Sequence, residues 1–238
     1  CGGTSPGGGT RTLYVEATST GKPDGTEFVV LVLKGGNNVP GANVFLEDRA
    51  NGKQTNLVGH GDPSKKKGEY RYEGRAGYYV ESLRLKVTVG DDSVEAALDG
   101  PHPHLITRPG NNDIIAAATG EALGVEWSRN GLADRVHIRP EGVPEVVLEQ
   151  DPGQTTVPLG PLKSGDQKLE VARENQVTLA GGTEGSVWKA SAWISVPARM
   201  AARRPAISIA RWTDRLLIWA SSVGSLATRP AIANTSRS

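Results

Sequence analysis

The sequence lacks most features that mark disulfide-stabilised, membrane-spanning or metal-dependent proteins. One cysteine occurs among 238 residues and it is the first, so no disulfide can form within one chain. No run of about 18 apolar residues is present, which excludes an ordinary membrane-spanning helix. Aromatic residues make up only 5% of the chain. We therefore expect aliphatic side chains to form a core that packing alone holds together.

Glycine and proline are plentiful instead. The chain has 30 Gly and 15 Pro, while apolar residues account for 37%. Glycine interrupts regular elements by its backbone freedom, and proline does so because it has no N–H. This composition favours many short strands joined by turns over a helical bundle. The length fits one large domain or two small ones.

Charge is unevenly distributed along a chain whose formal net charge is +1. Residues 199–238 contain seven Arg, no Lys and one acidic residue, Asp214, which gives +6. The remainder then carries +1 − 6 = −5. A mildly acidic body argues against nucleic acid as its main partner.

The first ten residues read Cys-Gly-Gly-Thr-Ser-Pro-Gly-Gly-Gly-Thr. This start resembles a bacterial lipoprotein after removal of its signal peptide. The resemblance implies a diacylglycerol on the thiol of Cys1, followed by a flexible tether over residues 1–10. Gly2, where an Asp would favour retention in the inner membrane, implies anchoring to the outer membrane of the bacterial cell envelope. The alternative is a chain that begins at a cysteine by chance.

Alternating apolar residues predict strands over the first hundred residues. Leu13, Val15 and Ala17 suit a half-buried strand, and Leu83 to Val89 suits another. Residues 28–33 are continuously apolar, which predicts a strand covered on both faces. Gly90-Asp91-Asp92 predicts a hairpin turn.

Two stretches of this region resemble a known class of sandwich. Residues 39–46, Val-Pro-Gly-Ala-Asn-Val-Phe-Leu, and residues 68–72, Gly-Glu-Tyr-Arg-Tyr, are similar to motifs of transthyretin-like and carboxypeptidase-regulatory-like domains. The resemblance implies that Val44 and Leu46 face the core. It supports a fold and no particular function.

The next region resembles fibronectin type III and other immunoglobulin-like modules. Trp127 ends an alternating strand, and residues 157–166 are similar to the family's Leu-x-Pro-Gly corner, although Ser164 stands where proline is usual. We expect Trp127 to pack in the core rather than to bind a ligand. The prediction is an all-β chain with two tandem immunoglobulin-like β-sandwiches, at residues 11–109 and 110–197.

The last segment, residues 198–238, differs in composition from the rest. Ile207, Ala210, Leu217, Ile218 and Trp219 have the spacing of one face of a basic amphipathic helix. Two alternatives are a disordered extension and translation of an altered reading frame.

The residues suited to chemistry are few. His102 and His104 flank Pro103 in a segment that we expect to be a solvated linker, and they are weak candidates for metal ligands because no Cys or carboxylate cluster accompanies them. Asp62, Asp91 and Asp92 are alternatives for Ca²⁺, but adjacent Asp residues are typical of turns. No catalytic residue and no cofactor are predicted.

Two functions remain open at this point. The first is a membrane-anchored, non-catalytic lipoprotein that binds a protein or polysaccharide of the cell envelope. The second is an esterase-like hydrolase that uses His60 or His137 with a Ser and an Asp. No Gly-x-Ser-x-Gly or His-Glu-x-x-His motif is present to support the second.

The lipoprotein hypothesis gives a direct prediction for Cys1. Mass spectrometry of the native protein should find a diacylglycerol thioether on Cys1, and Cys1→Ser should move the protein from the membrane to the soluble fraction. An unmodified Cys1 in the native protein would leave the fold prediction alone standing.

Overall fold

A computed structural model describes residues 11–111, 113–117, 121–159 and 165–202. Seventeen strands make up the regular structure of these residues, and no helix among them is long and apolar enough to cross a membrane. The strands are β1 Leu13–Lys22, β2 Gly25–Lys34, β3 Asn37–Asn38, β4 Asn43–Asp48, β5 Lys53–Asn56, β6 Val58–His60, β7 Arg71–Ala76, β8 Ser82–Val89, β9 Asp92–Asp99, β10 Ile106–Arg108, β11 Ile114–Ala117, β12 Ala122–Trp127, β13 Arg135–Pro140, β14 Val146–Leu148, β15 Gln154–Pro158, β16 Gly165–Thr178 and β17 Val187–Ala202.

One ten-stranded sheet forms a layer common to two sandwiches. Its main path is β14-β13-β16-β17-β1-β2-β7-β6, with β11 beside β17 and β3 beside β2. A four-stranded sheet, β5-β4-β8-β9, covers one part of it, and a three-stranded sheet, β10-β12-β15, covers another. Each pair of layers encloses its own apolar core. The predicted all-β fold with two β-sandwiches is confirmed.

The first core follows the alternation expected from the sequence. Val44 and Leu46 face inward, as do Leu83, Leu85 and Val87. The turn between β8 and β9 occurs at Gly90-Asp91, where Gly90 has a φ of 59°. These predictions are confirmed.

Strand β2 corrects one prediction. Phe28, Val30 and Val32 are buried, but Val29 and Leu31 are only half-buried on the opposite face. The expectation of cover on both faces was wrong because no described element packs over this outer face of the large sheet. Periodicity cannot detect this, since both faces of β2 carry apolar residues.

The second core contains Val125, Trp127, Val136, Ile138 and Val171. Trp127 is buried there, so the prediction that it packs in the core is confirmed. Its indole Nε1 donates a hydrogen bond of 2.8 Å to Oδ1 of Asp151. The polar end of the ring is thereby satisfied within the protein.

Strands β16 and β17 contribute to both cores. They pair along their whole shared length, from Gly165↔Met200 to Thr178↔Val187. Val177 and Trp188 pack in the first core, while Val171 and Val196 pack in the second. The first sandwich therefore uses residues from far beyond position 109, and the domain boundaries stay a prediction. Strand β17 also continues to Ala202, four residues past the start of the segment predicted as a tail.

A buried ion pair lies where β16 passes between the cores. The Arg173 side chain has no exposed surface, and its Nη2 lies 2.7 Å from Oδ2 of Asp151. Arg173 also donates to the backbone carbonyls of His102 and Gly131, at 3.2 and 2.7 Å. These contacts join β16 to the segment before β10, to the loop after β12 and to the segment between β14 and β15.

The segment from Pro101 to His104 corrects a second prediction. Pro101 and His104 are buried, whereas His102 and Pro103 are exposed. The expectation of a solvated linker was wrong because this segment packs against the junction of the sandwiches. Tyr79, for example, donates its hydroxyl hydrogen to the carbonyl of Pro101.

We predict that Arg173→Met lowers the free energy of unfolding by about 3–5 kcal/mol, because it leaves the carboxylate of Asp151 buried without a cation. Arg75→Met is the matched control: it removes an ion pair with Asp24 whose side chains are 53% and 70% exposed. We expect the control to cost about 1 kcal/mol or less. Equal losses of unfolding free energy in urea would contradict a larger contribution from the buried Arg173–Asp151 pair than from the exposed pair.

Candidate binding groove

The large sheet has a gap beside β17. Strand β1 runs parallel to β17 from Glu16↔Val187 to Gly21↔Ala192. Strand β11 pairs with the same edge from Ile114↔Arg199 to Ala117↔Ala202. Between them, no described strand pairs with residues 193–198 on this edge. We call residues 193–198 the open edge.

Glycine at the end of β1 shapes one side of this gap. A Cβ atom on Gly21 would lie 2.2 Å from Cε2 of Tyr79 and 3.3 Å from the carbonyl oxygen of Ser191. The Tyr79 ring therefore lies against the backbone of β1, where only glycine leaves room for it. Burial raises the pKa of the Tyr79 hydroxyl, which keeps it in its neutral, hydrogen-bonded form.

An outer groove of about 540 Å³ lies on the solvent face of the sheet at the open edge. Lys22 and Asp24, from the β1–β2 hairpin, line one side, and Trp193 and Arg139 line another. The guanidinium of Arg139 lies 4.2 Å from the centroid of the Trp193 ring, a cation–π distance. The Trp193 Nε1 donates a hydrogen bond of 3.0 Å to Oγ of Ser191. Trp193 is thus held in one orientation while still half-exposed.

The charged side chains of the outer groove are already paired. The pairs are Lys22–Glu27 at 2.9 Å, Arg75–Asp24 at 2.5 Å, Arg139–Glu145 at 2.9 Å and Lys168–Glu170 at 2.5 Å. Because each cation has an anion beside it, the groove presents little net charge to a ligand.

An inner groove of about 300 Å³ lies on the other side of the same edge. Tyr79, Pro103, Leu105 and Ile194 give it a mainly apolar lining. Leu105 is 64% exposed, so most of its apolar surface is accessible at the groove. The two grooves share residues of the β1–β2 hairpin and of the open edge, namely Lys22, Pro23, Trp193 and Ile194.

His104 forms part of the wall of the inner groove. Its Nε2 lies 3.1 Å from the carbonyl oxygen of Val171, and its Nδ1 has no hydrogen-bond partner among the described residues. Burial lowers the pKa of His104 to about 4. The ring is therefore neutral at pH 7, with the proton on Nε2 donated to the carbonyl.

The predicted histidine pair is divided between two environments. His102 is exposed and its Nδ1 lies 2.8 Å from Oε1 of Glu81, while His104 points to Val171. Within the described residues, no group of three or more His, Cys, Asp or Glu side chains is arranged to hold a metal ion. The Asp92 carboxylate is occupied by Lys34 at 2.8 Å, and Asp62 is exposed and accepts a hydrogen bond of 2.6 Å from Ser64.

The histidines considered for hydrolysis have other partners. His137 Nδ1 lies 3.0 Å from Glu145 and Nε2 lies 3.5 Å from Glu174. The nearby carboxylate of Glu174, together with that of Glu145, raises the pKa of His137 against the opposing effect of burial. His60 is exposed at the end of β6. In the part of the chain that the structure describes, no hydrogen bond joins a His ring to a Ser hydroxyl.

Several predicted features lie outside the described residues. Cys1 and the tether over residues 1–10 are among them, as are residues 203–238 with the proposed amphipathic face. Sequence reasoning missed the groove itself, including Trp193, because the gap depends on where β1 and β11 end along β17.

Comparison with known proteins gives no family. No protein-family model and no curated protein matches the chain. Low similarity exists to the fibronectin(III)-like modules of CbhA from Clostridium thermocellum, with a TM-score of 0.31, 11% identity and coverage of 81% of this chain and 96% of that chain. A tandem of titin Ig domains has a TM-score of 0.26 and 9% identity, with coverage of 85% of this chain and 100% of that chain. A chimeric titin tandem functionalised with a fibronectin peptide has a TM-score of 0.24 and 11% identity, with coverage of 84% of this chain and 100% of that chain. At these TM-scores the similarities carry no argument about a shared site.

The low pKa of His104 predicts a pH dependence of stability. The unfolded chain binds a proton near pH 6.5 but the folded chain does so only near pH 4, so stability from this group is present above pH 6.5 and is lost as pH falls towards 4. When the pH is lowered from 7 to 5, the free energy of unfolding measured in urea should fall by about 2 kcal/mol less in His104→Gln than in the native chain. His60→Gln, at an exposed site, should keep the native loss. An identical fall in unfolding free energy in all three proteins would disprove the lowered pKa of His104.

Proposed function

We propose that this chain is a membrane-anchored lipoprotein of the bacterial cell envelope that binds a partner, without catalysis, at the outer and inner grooves. The observation that carries the binding role is the open edge of β17, flanked by a groove on each face of the sheet. Concave surfaces with apolar walls and a few fixed polar groups are the usual form of binding sites.

The anchor and the grooves have complementary roles in this proposal. Acyl chains on Cys1 would hold the protein at the membrane, and the glycine-rich residues 1–10 would let the sandwiches reach away from the lipid surface. The partner is a protein or polysaccharide of the envelope, and Gly2 favours the outer membrane. We also propose that the first sandwich is a transthyretin-like domain.

The fixed polar groups favour binding over hydrolysis. His102 contacts Glu81, His104 contacts a backbone carbonyl, and His137 lies between two carboxylates. A serine hydrolase needs a histidine that accepts the proton of its serine, and these rings are engaged elsewhere.

Site-specific cross-linking tests the proposal in the cells that make the protein. A benzophenone amino acid at Ser195, on the open edge, should give a discrete adduct, and Trp193→Ala should weaken that adduct because it removes a wall of the outer groove. The same amino acid at Val58, which is 61% exposed on β6, is the control and should not give that adduct. Identical adducts from both positions would contradict a binding role for the grooves.

A further inference from the structure

We propose that the open edge of β17 binds an extended, uncharged segment of a partner protein as an added strand of the large sheet. This inference deepens the proposed function and rests on it, since it names the chemistry of the partner that the grooves bind.

The backbone of the open edge offers the hydrogen-bonding pattern of an edge strand, which is a template for pairing with another strand. Within the described part of the chain, residues 193–198 pair with β16 on one side only. On the other side, the pairing with β1 ends at Ala192 and the pairing with β11 begins at Arg199. Six residues span about 20 Å, which is an ordinary strand length. An extended peptide can pair with this edge and fill the sheet between β1 and β11. Pro197 lacks an N–H, so any backbone donors must come from the other residues of the edge.

The two grooves match the alternation of side chains along a strand. Successive side chains of an added strand point to opposite faces of the sheet. One set would enter the outer groove beside Trp193, and the other set would enter the inner groove beside Tyr79 and Leu105. The mainly apolar inner groove favours apolar side chains at alternate positions. The 64% exposure of Leu105 leaves apolar surface that such a side chain would cover.

The charges of the outer groove favour an uncharged segment. Lys22, Arg139 and Lys168 each have a carboxylate within 2.9 Å. A charged side chain from the partner would have to compete with these ion pairs, whereas serine, threonine or asparagine would not. A polysaccharide fits less well because it cannot continue the backbone ladder.

A library of displayed random heptapeptides, panned on the full chain carrying Cys1→Ser, tests the proposal. Uncharged sequences with alternating apolar residues should be enriched. Leu105→Asp should weaken binding of a synthesised, enriched peptide about tenfold or more, because it places a charge in the inner groove. Leu132→Asp is the matched control, since Leu132 is also 64% exposed and is not a lining residue of either groove. The proposal is overturned if no peptide is enriched, or if both variants weaken binding equally.

Hydrogen exchange then tests whether the peptide binds as a strand. The amides of residues 193–196 that face away from β16 should gain protection with the enriched peptide. The same peptide with alternate N-methylated amides should lose that effect, because it cannot complete the ladder. Equal protection by both peptides would overturn strand addition.

Two further results separate the competing explanations. A peptide-free chain that sediments as a dimer, and becomes a monomer with Leu105→Asp, would show that a second copy occupies the edge and would overturn the proposal. Cross-linking at Ser195 without peptide binding would leave the proposed function standing while removing strand addition. Failure of both experiments would remove both proposals.

Discussion

The buried pair of Arg173 and Asp151 is the interaction on which the arrangement of the two sandwiches depends. Both side chains are fully buried. A buried charge is costly unless it is paired and hydrogen-bonded, and Arg173 meets that condition through one carboxylate and several backbone carbonyls. These carbonyls belong to the segment joining the sandwiches and to the turn after β12. The ion pair therefore fixes the path of the chain at the point where β16 passes from one core to the other.

The same junction determines the shape of the grooves. His104 is held against Val171, two residues from Arg173, and the segment from Pro103 to Leu105 lines the inner groove. On the other side, Gly21 lets Tyr79 approach β1, and Tyr79 in turn binds Pro101. A polar network that stabilises the junction thus also positions the walls of the inner groove.

Local patterns predicted individual strands well but not their assembly. Leu83, Leu85 and Val87 alternate with polar residues, so their inward face was evident from the sequence. His104 was not recognised as buried, because its neighbours are two prolines and an exposed histidine. Burial there results from contact with β16, which lies almost seventy residues further along the chain. No local pattern reports such a contact.

One signal for the groove was nevertheless present in the sequence. Trp188 and Trp193 are five residues apart on one alternating strand, so they must point to opposite faces. One of the two had to lie outside the core, and Trp193 does, whereas Trp188 is completely buried. The end points of β1 and β11, which create the open edge, depend on tertiary packing and could not be read in this way.

The sharing of β16 and β17 has a mechanical consequence. Because β16 and β17 contribute to both cores, neither sandwich can lose these two strands without removing part of the other core. A pull transmitted from the N-terminus along β1 loads its parallel pairing with β17 in shear, with all the ladder bonds sharing the force at once. This pairing therefore resists extension by a force that enters at the N-terminal end of β1.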